Sequence, residues 1–426
     1  MTRSIEQLES FFDEIFTQLP TASPSQISDL MFRAEMAFRQ SGYRDEISAG
    51  VENILVVRLD VVGDMILTSG FLRELRKNLP HARITLVVSP FVFPIVELCP
   101  YVNEVLSLDP KNFAGKFADI FGRLVDFCRK NFWRKRFSLA FSPQWGSDNL
   151  LALILCWLSG ARERIGYGTN PYKSWSDEIT AEEAAQDNFL LTQNIITPRS
   201  VVSEVEKHFY LLEAVGLRVE ETHMELFFGT EDFRRASELL QTVSPNCKKV
   251  LLGIGAGLPR RKYPAEKFLV ALKTLAKKNL VFVIVGGKAE LSDAEFIERN
   301  LPHGKVLNLV GKTTLRETEA VISKMDFYIG NDSGVMHMAA AAQVPVLAIY
   351  RDAQDKEDYL PGLFSEFRKF PPWQTNFVVL RPDHQLSECA KFPPIYGWCH
   401  SDKPHCIAQI DPQEIVDGFE ALEELT

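Results

Sequence analysis

The chain has 426 residues, more than one ordinary hydrophobic core organises, so we expect two domains of about 150 to 200 residues each. Its 46% apolar and 24% charged residues are typical of a folded globular protein. The formal net charge is -9, and residues 1–50, 51–222 and 223–426 each hold more acidic than basic side chains, which excludes a general nucleic-acid binder.

Residues 1–47 are predicted to form a helical N-terminal extension. Apolar side chains recur at helical spacing from Ile5 to Leu19, and they do so again from Ile27 to Phe38. Two interpretations stay open for this segment: a packed helical hairpin, or a contact for oligomerisation or for a partner.

Three features of the sequence favour a cytoplasmic protein. The N-terminus is acidic and amphipathic, unlike a secretory signal peptide. The longest apolar run, residues 150–158, has about half the length that a membrane span needs. The seven cysteines are scattered and odd in number, which fits reduced core residues better than a disulfide framework.

The remainder of the chain alternates predicted strands and helices in two blocks. Residues 48–222 begin with the near-continuous apolar run NILVVRL, which is typical of a buried parallel strand. The alternation restarts at KVLLGIGAG and continues through residues 223–382. Each block therefore favours a doubly wound, Rossmann-like sheet, and two such domains imply a cleft that can hold two substrates. Residues 383–426 form a cysteine-containing tail that ends in a helix.

The stretch VVRLDVVGDMILTSG contains a strand, a polar loop and the start of a helix. Asp60, Gly63 and Asp64 lie at the carboxyl end of the predicted strand, where open α/β sheets bind ligands. The loop is therefore a candidate binding site, and a turn that only caps the helix is the alternative.

The stretch DFYIGNDSGVMHMAAAA predicts a second turn of this kind. Asp332, Ser333 and Gly334 link a strand to a helix whose first turn offers unpaired N–H groups and a partial positive charge to a phosphate. Ser333 can add a hydroxyl, and His337 lies one turn along the same helix. The alternative is that Asp332 or Ser333 only caps the helix.

The glycine-rich stretch GIGAGLPRRKYPAEKF is a candidate diphosphate site. Gly255 and Gly257 permit a close approach of the backbone, and Arg260, Arg261 and Lys262 can neutralise a diphosphate. A solvated basic turn is the alternative. The Gly-Lys-Ser/Thr ending of a P-loop is absent from this stretch.

Glu290 follows the next predicted strand and a Gly-Gly turn. An acid there can accept hydrogen bonds from ribose hydroxyls, although the first turn of a helix favours glutamate in any case. The chain has no Asp-x-Asp pair to bind a divalent metal, so cations and helix N-termini would have to stabilise a diphosphate leaving group.

Together these pieces resemble glycosyltransferase family 9, the lipopolysaccharide heptosyltransferases. The resemblance covers about residues 51–350 and rests, in this order, on ILVVRLDVVGDMILTSGFLRELRKNLPHARITLVV, RIGYG, GAGLPRRKYPAEKF and YIGNDSGVMHMAAAAQVPVLAIY. It implies a GT-B fold of two Rossmann-like domains facing across a cleft, with the acceptor held mainly by the first and a nucleotide-sugar mainly by the second. It also implies inversion at the anomeric carbon without a metal or other cofactor, and ADP-heptose is the family's usual donor.

The resemblance also implies roles for individual residues. Asp64 matches the aspartate that is proposed as the general base, and Asp60 is the competing carboxylate on the same loop. Lys262 matches the lysine that meets the donor diphosphate. The residues that match the phosphate- and sugar-binding helix start are Asp332, Ser333, Gly334 and His337. Glu290 is a looser match to an acid that contacts the nucleoside.

Residues 1–47 are extra relative to the core pattern of the family, and two further segments carry weaker features. Residues 121–137 mix cations with Phe127, Phe132 and Trp133, which predicts contact with anionic lipid or acceptor phosphates, or else a solvated helix face. In the tail, the spacing of the cysteines is not a standard zinc pattern. Some relatives that glycosylate autotransporter proteins carry a cysteine-bound iron, so the candidate metal ligands are Cys389, Cys399 and Cys406, with structural or free cysteines as the alternative.

The sequence therefore predicts a cytoplasmic GT-B glycosyltransferase that moves a heptose from ADP-heptose to a lipopolysaccharide core or another envelope glycan, with peripheral contact to the inner membrane face. Transfer onto a protein such as an autotransporter is one alternative. The other is a degenerate GT-B protein that binds nucleotide or glycan without turnover and serves as a scaffold through its N-terminal helices.

Overall fold

The computed structural model describes residues 52–113, 117–145, 150–168, 190–198, 200–354, 365–386 and 403–426, together with parts of 14–36. The chain divides into two compact units. The first unit consists of Met1–Val61, Phe71–Val201 and Glu206–Thr222, and the second consists of Val62–Gly70, Val202–Val205 and His223–Thr426. Asp64 therefore belongs to the second unit, although a division of the chain at residue 222 would place it in the first. The domain bounds given by the sequence stay a prediction.

The first unit is built on a parallel six-stranded sheet with the order β3-β2-β1-β4-β5-β6. Its strands are β1 (Asn53–Arg58), β2 (Arg83–Val88), β3 (Glu104–Ser107), β4 (Leu139–Ser142), β5 (Glu163–Gly166) and β6 (Gln193–Asn194). Five of the six residues of β1 are buried, as expected for a central strand covered on both faces.

Helices alternate with these strands. They are α1 (Val62–Asn78), α2 (Phe93–Val96), α3 (Phe117–Asn131), α4 (Leu150–Leu158) and α5 (Glu204–Glu213). The starts of α1 and α5 belong to the second unit. From the predicted N-terminal extension, apolar residues such as Ile15, Leu19 and Leu30 are buried in the core of the first unit, and residues 29–33 are helical. The rest of the extension lies largely outside the described residues.

The second unit has a parallel six-stranded sheet with the order β12-β11-β10-β7-β8-β9. Its strands are β7 (Lys248–Gly253), β8 (Leu280–Ile284), β9 (Val306–Asn308), β10 (Phe327–Asn331), β11 (Val346–Ile349) and β12 (Phe377–Leu380). The strand order reverses direction at β7 and β10, and open parallel sheets bind ligands at the carboxyl ends of the strands at such a switch point.

The helices of the second unit are α6 (Thr230–Leu240), α7 (Ala265–Leu275), α8 (Leu291–Asn300), α9 (Leu315–Ile322), α10 (Gly334–Ala341), α11 (Glu366–Lys369) and α12 (Pro412–Glu424). The predicted final helix is present as α12, which packs Phe419 edge-on against Phe327 of β10 at 5.2 Å between ring centroids. No helix of the described part of the chain is both long and apolar enough to cross a bilayer.

The basic segment 121–137 divides between core and surface. Phe132 and Trp133 are buried in the core of the first unit, and the Trp133 indole donates a hydrogen bond to the Leu158 carbonyl at 2.8 Å. These aromatic side chains are therefore withdrawn from any lipid or acceptor. Arg123 and Arg134 lie among the exposed residues of the segment, so its contribution to a surface is electrostatic.

A buried tyrosine leaves little room for a side chain at two glycine positions on the carboxyl edge of the second sheet. The Tyr328 hydroxyl donates to the Asn331 carbonyl at 2.8 Å, which folds the ring back against the ends of β7 and β10. A Cβ atom at Gly253 would lie 2.2 Å from the Tyr328 Oη, and one at Gly330 would lie 2.4 Å from the Gly253 carbonyl oxygen. A larger residue at either position would therefore force the neighbouring atoms to shift.

We predict that Gly253→Ala lowers the free energy of unfolding of the second unit by about 1–3 kcal/mol, because the added methyl group overpacks a buried site. Urea unfolding measures the change. Gly257→Ala is the matched control, since a Cβ atom there meets nothing within 4 Å. Equal stability of the two variants would contradict this account of the strand ends.

Candidate active site

The start of helix α10 carries no side-chain cap. The N-cap residue is Ser333, whose backbone is extended and whose side chain makes no capping hydrogen bond. The alternative that Ser333 merely caps the helix is therefore wrong. Backbone N–H groups at an uncapped helix start are available to an anion, and Gly334 presents the first of them without a side chain.

The start of helix α1 lies against the start of α10, and both belong to the second unit. A Cβ atom at Gly63 would lie 3.1 Å from the His337 Cδ2 and 3.5 Å from the Gly334 Cα. A Cβ atom at Gly334 would lie 3.2 Å from the Gly63 nitrogen. The two backbones therefore approach each other as closely as they do only because both residues are glycine.

Asp64 lies in the first turn of α1, and its side chain is partly buried. The N-cap residue of this helix is Val61, whose side chain makes no capping bond, so Asp64 is not the N-cap residue. The close approach of Gly63 and Gly334 brings this carboxylate to the start of α10. Its charge acts on Arg261, as do the charges of three other carboxylates, Glu366, Asp332 and Asp352.

Arg261 lies between two acidic side chains. Its Nη2 is 2.6 Å from the Glu366 Oε2, and its Nη1 is 3.5 Å from the Asp332 Oδ2. Burial alone would lower the pKa of Arg261, but Glu366, Asp332 and Asp64 outweigh burial, and the pKa is raised. The guanidinium is therefore charged at every accessible pH, and it interacts electrostatically with both Asp332 and Asp64.

Asp332 and His337 are both buried at the helix start. Burial raises the pKa of Asp332 to about 7, although Arg261 opposes the shift. Burial and the charge of Arg261 lower the pKa of His337 to about 4, so the imidazole is neutral at neutral pH. The His337 Nδ1 is buried and has no hydrogen-bond partner among the described residues. A ligand with polar atoms would satisfy it.

Asn331 is a site-building residue that the sequence pattern did not single out. It is fully buried at the end of β10, and its Nδ2 donates to the Ile254 carbonyl at 2.9 Å. Its Oδ1 accepts from the Tyr263 backbone N–H at 3.0 Å. One amide side chain thereby ties both ends of the glycine-rich loop, and Arg261 with it, to the start of α10.

The structure gives Lys262 and Glu290 partners of their own. The Lys262 Nζ is 2.5 Å from the Asp293 Oδ2 in the first turn of α8. The Glu290 Oε2 accepts from the Gly287 backbone N–H at 3.0 Å. A Cβ atom at Gly255 would lie 3.0 Å from the Glu290 carboxyl carbon, so the structure brings these two predicted residues together. Gly257 faces open space.

Asp60 belongs to the first unit, unlike Asp64. The Asp60 Oδ2 lies 3.1 Å from the Nε of Arg58, a residue that is 1% exposed. The Arg58 Nη1 lies 3.3 Å from the His208 Nε2. A buried arginine needs a counter-charge, so Asp60 has a structural role in neutralising Arg58.

Further charged residues at the carboxyl edge of the second sheet were missed by the sequence analysis. Arg351 and Asp352 directly follow the apolar run of β11, a position that could have identified them by the argument used for Asp332. The Asp352 Oδ2 lies 3.0 Å from the Nη2 of Arg381, which follows β12. Glu366 follows no strand, so no local pattern indicates it.

The candidate metal ligands of the tail are only partly described. Cys389 and Cys399 lie outside the described residues. Cys406 is a free thiol whose Sγ lies 3.6 Å from the His405 Nδ1. Within the described ranges, no group of three or more His, Cys, Asp or Glu side chains is arranged to hold a metal ion.

Comparisons with known proteins agree on one family. The family model for glycosyltransferase family 9 (heptosyltransferase) matches residues 180–392. Lipopolysaccharide heptosyltransferase 3 of Escherichia coli K12 is 24% identical over 336 residues, which cover 78% of this chain and 90% of the relative.

Two solved structures show the fold. The family 9 glycosyltransferase of Veillonella parvula has a TM-score of 0.69 at 20% identity and covers 90% of this chain and all of its own. The ADP-heptose lipopolysaccharide heptosyltransferase II of E. coli has a TM-score of 0.62 at 18% identity and covers 88% of this chain and all of its own. The prediction of a GT-B fold with two parallel doubly wound sheets is confirmed.

We predict that Asp332 makes the stability of the protein depend on pH. Its pKa is 3.8 in the unfolded chain and about 7 in the folded protein. The contribution of this carboxyl to the free energy of unfolding is therefore complete below pH 3.8 and is lost as the pH rises through 7. The free energy of unfolding of Asp332→Asn, relative to the unchanged protein, should therefore rise between these two pH values. Urea unfolding at a series of pH values measures the difference, and a constant difference would contradict the assignment.

Proposed function

The chain belongs to glycosyltransferase family 9, the heptosyltransferases, and from this premise we propose that it transfers a heptose from ADP-heptose to a lipopolysaccharide core, with inversion and without a metal ion. Its class as a glycosyltransferase follows from the family. The donor and the acceptor are proposed from relatives, which are lipopolysaccharide heptosyltransferases and an ADP-heptose enzyme. The observation that carries the proposal is the convergence of two glycine-bearing helix starts with Arg261 and Asp64 in the second unit.

The start of α10 would hold the donor diphosphate. Amide groups there and the dipole of the helix favour an anion. Arg261 supplies a permanent positive charge, and His337 supplies a buried neutral imidazole. An incoming diphosphate would favour the protonated form of Asp332, whose pKa is already about 7, so this carboxyl can donate a hydrogen bond when the donor binds.

The position of Asp64 supports a role as the general base. An acceptor hydroxyl attacks the anomeric carbon from the face opposite the diphosphate, and its proton passes to the Asp64 carboxylate. A bond forms between the acceptor oxygen and the anomeric carbon, and the bond from that carbon to the phosphate oxygen breaks with its electron pair leaving on the diphosphate. A positioned base contributes on the order of 10²–10⁴ to the rate. Asp60 is the weaker candidate, because it neutralises the buried Arg58.

Positive charge would stabilise the leaving group. Arg261 and the start of α10 oppose the charge that grows on the departing diphosphate. Lys262 pairs with Asp293, and Glu290 lies against Gly255 of the glycine-rich loop. We propose that these two residues bind the nucleotide end of the donor. We propose that these groups stabilise the leaving diphosphate without a metal ion.

We also propose that the enzyme contacts the membrane that carries its acceptor. A lipid-linked acceptor would bring the protein to the inner face of the cytoplasmic membrane. Exposed cations of the segment 121–137, such as Arg123 and Arg134, support contact with an anionic lipid surface. Oligomerisation through residues 1–47 stays part of the proposal.

We predict that Asp64→Asn lowers the rate of heptose transfer by at least about 100-fold, because the proton of the acceptor loses its base. ADP affinity should change far less, since Asp64 is not proposed to bind the diphosphate. The assay uses ADP-heptose and a heptose-deficient core oligosaccharide, with other ADP- and UDP-sugars as a donor panel, and isothermal titration measures ADP binding.

Asp60→Asn is the matched control, because it removes a carboxylate of the same loop without removing the proposed base. A larger loss of turnover in Asp60→Asn than in Asp64→Asn, with thermal unfolding unchanged, would assign the base to Asp60. If ADP binds and no sugar of the panel is transferred or hydrolysed, the protein is a nucleotide-binding scaffold and not an enzyme of this kind.

A further inference from the structure

Glu366 is a largely buried carboxylate held by three cations. It begins the short helix α11, where Ser365 caps the helix by accepting from the Arg368 N–H. Its side chain is 12% exposed. The Oε2 lies 2.6 Å from the Arg261 Nη2, and the Oε1 lies 3.0 Å from the Lys369 Nζ and 3.7 Å from the Arg351 Nη2.

The surroundings of Glu366 keep it ionised. Burial by itself would raise the pKa of this carboxyl, but Lys369, Arg261 and Arg351 together lower it to about 2. Asp332 contacts the same guanidinium and has the opposite shift, to a pKa of about 7. Arg261 therefore has one partner whose charge is permanent and one whose charge varies near neutral pH.

The geometry of Arg261 follows from these two partners. A guanidinium is planar and carries five N–H donors in a fixed arrangement. With Nη2 held by Glu366 and Nη1 facing Asp332, the plane of the group is set from both sides. The Nε is buried and makes no hydrogen bond to the described residues, so the group retains donors for a ligand.

We propose that Glu366 is the positioning residue for Arg261, and that it orients the guanidinium to bind the diphosphate of the nucleotide-sugar donor. Glu366 does not itself touch the donor. Its carboxylate binds the Nη2 end of the guanidinium. Lys369 and Arg351 contact the other carboxylate oxygen of Glu366 and hold this side chain in place. This inference rests on the proposed function, because it needs Arg261 to contact the donor.

A double-mutant cycle tests the inference with ADP as the probe. Isothermal titration measures ADP affinity for the unchanged protein, Glu366→Gln, Arg261→Met and the double variant. Glu366→Gln should weaken ADP binding by about 10-fold, the effect expected for a lost hydrogen bond between charged groups. In the Arg261→Met background the same substitution should have no further effect, because Glu366 acts only through Arg261.

Controls separate positioning from stability. Glu366→Asp keeps the charge and should recover part of the lost affinity. Glu423→Gln breaks a partly exposed ion pair with Lys278 at 2.8 Å elsewhere in the unit and should leave ADP affinity unchanged. Thermal unfolding of each variant checks that it is folded.

Two outcomes would overturn the inference. Unchanged ADP affinity in Glu366→Gln is the first, and an equal loss of affinity with and without Arg261 is the second, since it would show that Glu366 acts through the fold. If the unchanged protein binds none of ADP, UDP and GDP, the proposed function fails and this inference fails with it. ADP binding that is insensitive to Glu366 removes only the inference.

Discussion

The close approach of two helix starts is the constraint on which the candidate site depends. Gly63 in α1 and Gly334 in α10 lie so near each other that a Cβ atom at Gly334 would be 3.2 Å from the Gly63 nitrogen. Because N–H groups of a first helical turn project from the N-terminus, this approach gathers backbone donors from two helices at one place. It also fixes where Asp64 lies, since this residue directly follows Gly63. A Cβ atom at either glycine would meet its nearest neighbour at 3.1–3.2 Å and would push the two helix starts slightly apart.

The charges of Glu366, Asp332 and Arg261 give these three side chains different roles. Glu366 and Asp332 contact the same guanidinium, yet their pKa values move in opposite directions, to about 2 and about 7. The difference has a physical cause: three cations surround Glu366, whereas the burial of Asp332 outweighs the attraction of Arg261. Paired carboxyls with separated pKa values have separate roles in many active sites. Here we infer that Glu366 stays ionised and holds Arg261 in place. We infer that Asp332 takes up a proton when the anionic donor binds.

The sequence predicted those parts of the site whose geometry is local. Asp332, Ser333 and Gly334 follow an apolar strand directly, so the strand-turn-helix pattern places them at a sheet edge, and the two parallel sheets follow from the same alternation. Contacts between distant positions were not predictable in this way. Glu366 is 105 positions from Arg261, and no pattern in the sequence links the two. Among Arg260, Arg261 and Lys262, only the structure distinguishes the cation that faces Asp332 from the one that pairs with Asp293.

A structure of the protein with ADP tests the central claim most directly. The account predicts that diphosphate oxygens lie about 3 Å from the backbone nitrogens at the start of α10 and from the guanidinium of Arg261. It also predicts that the Asp64 carboxylate faces the end of the diphosphate to which the sugar would be attached. A nucleotide bound elsewhere, for example beside Arg58 and Asp60 in the first unit, with the start of α10 unoccupied, would contradict it.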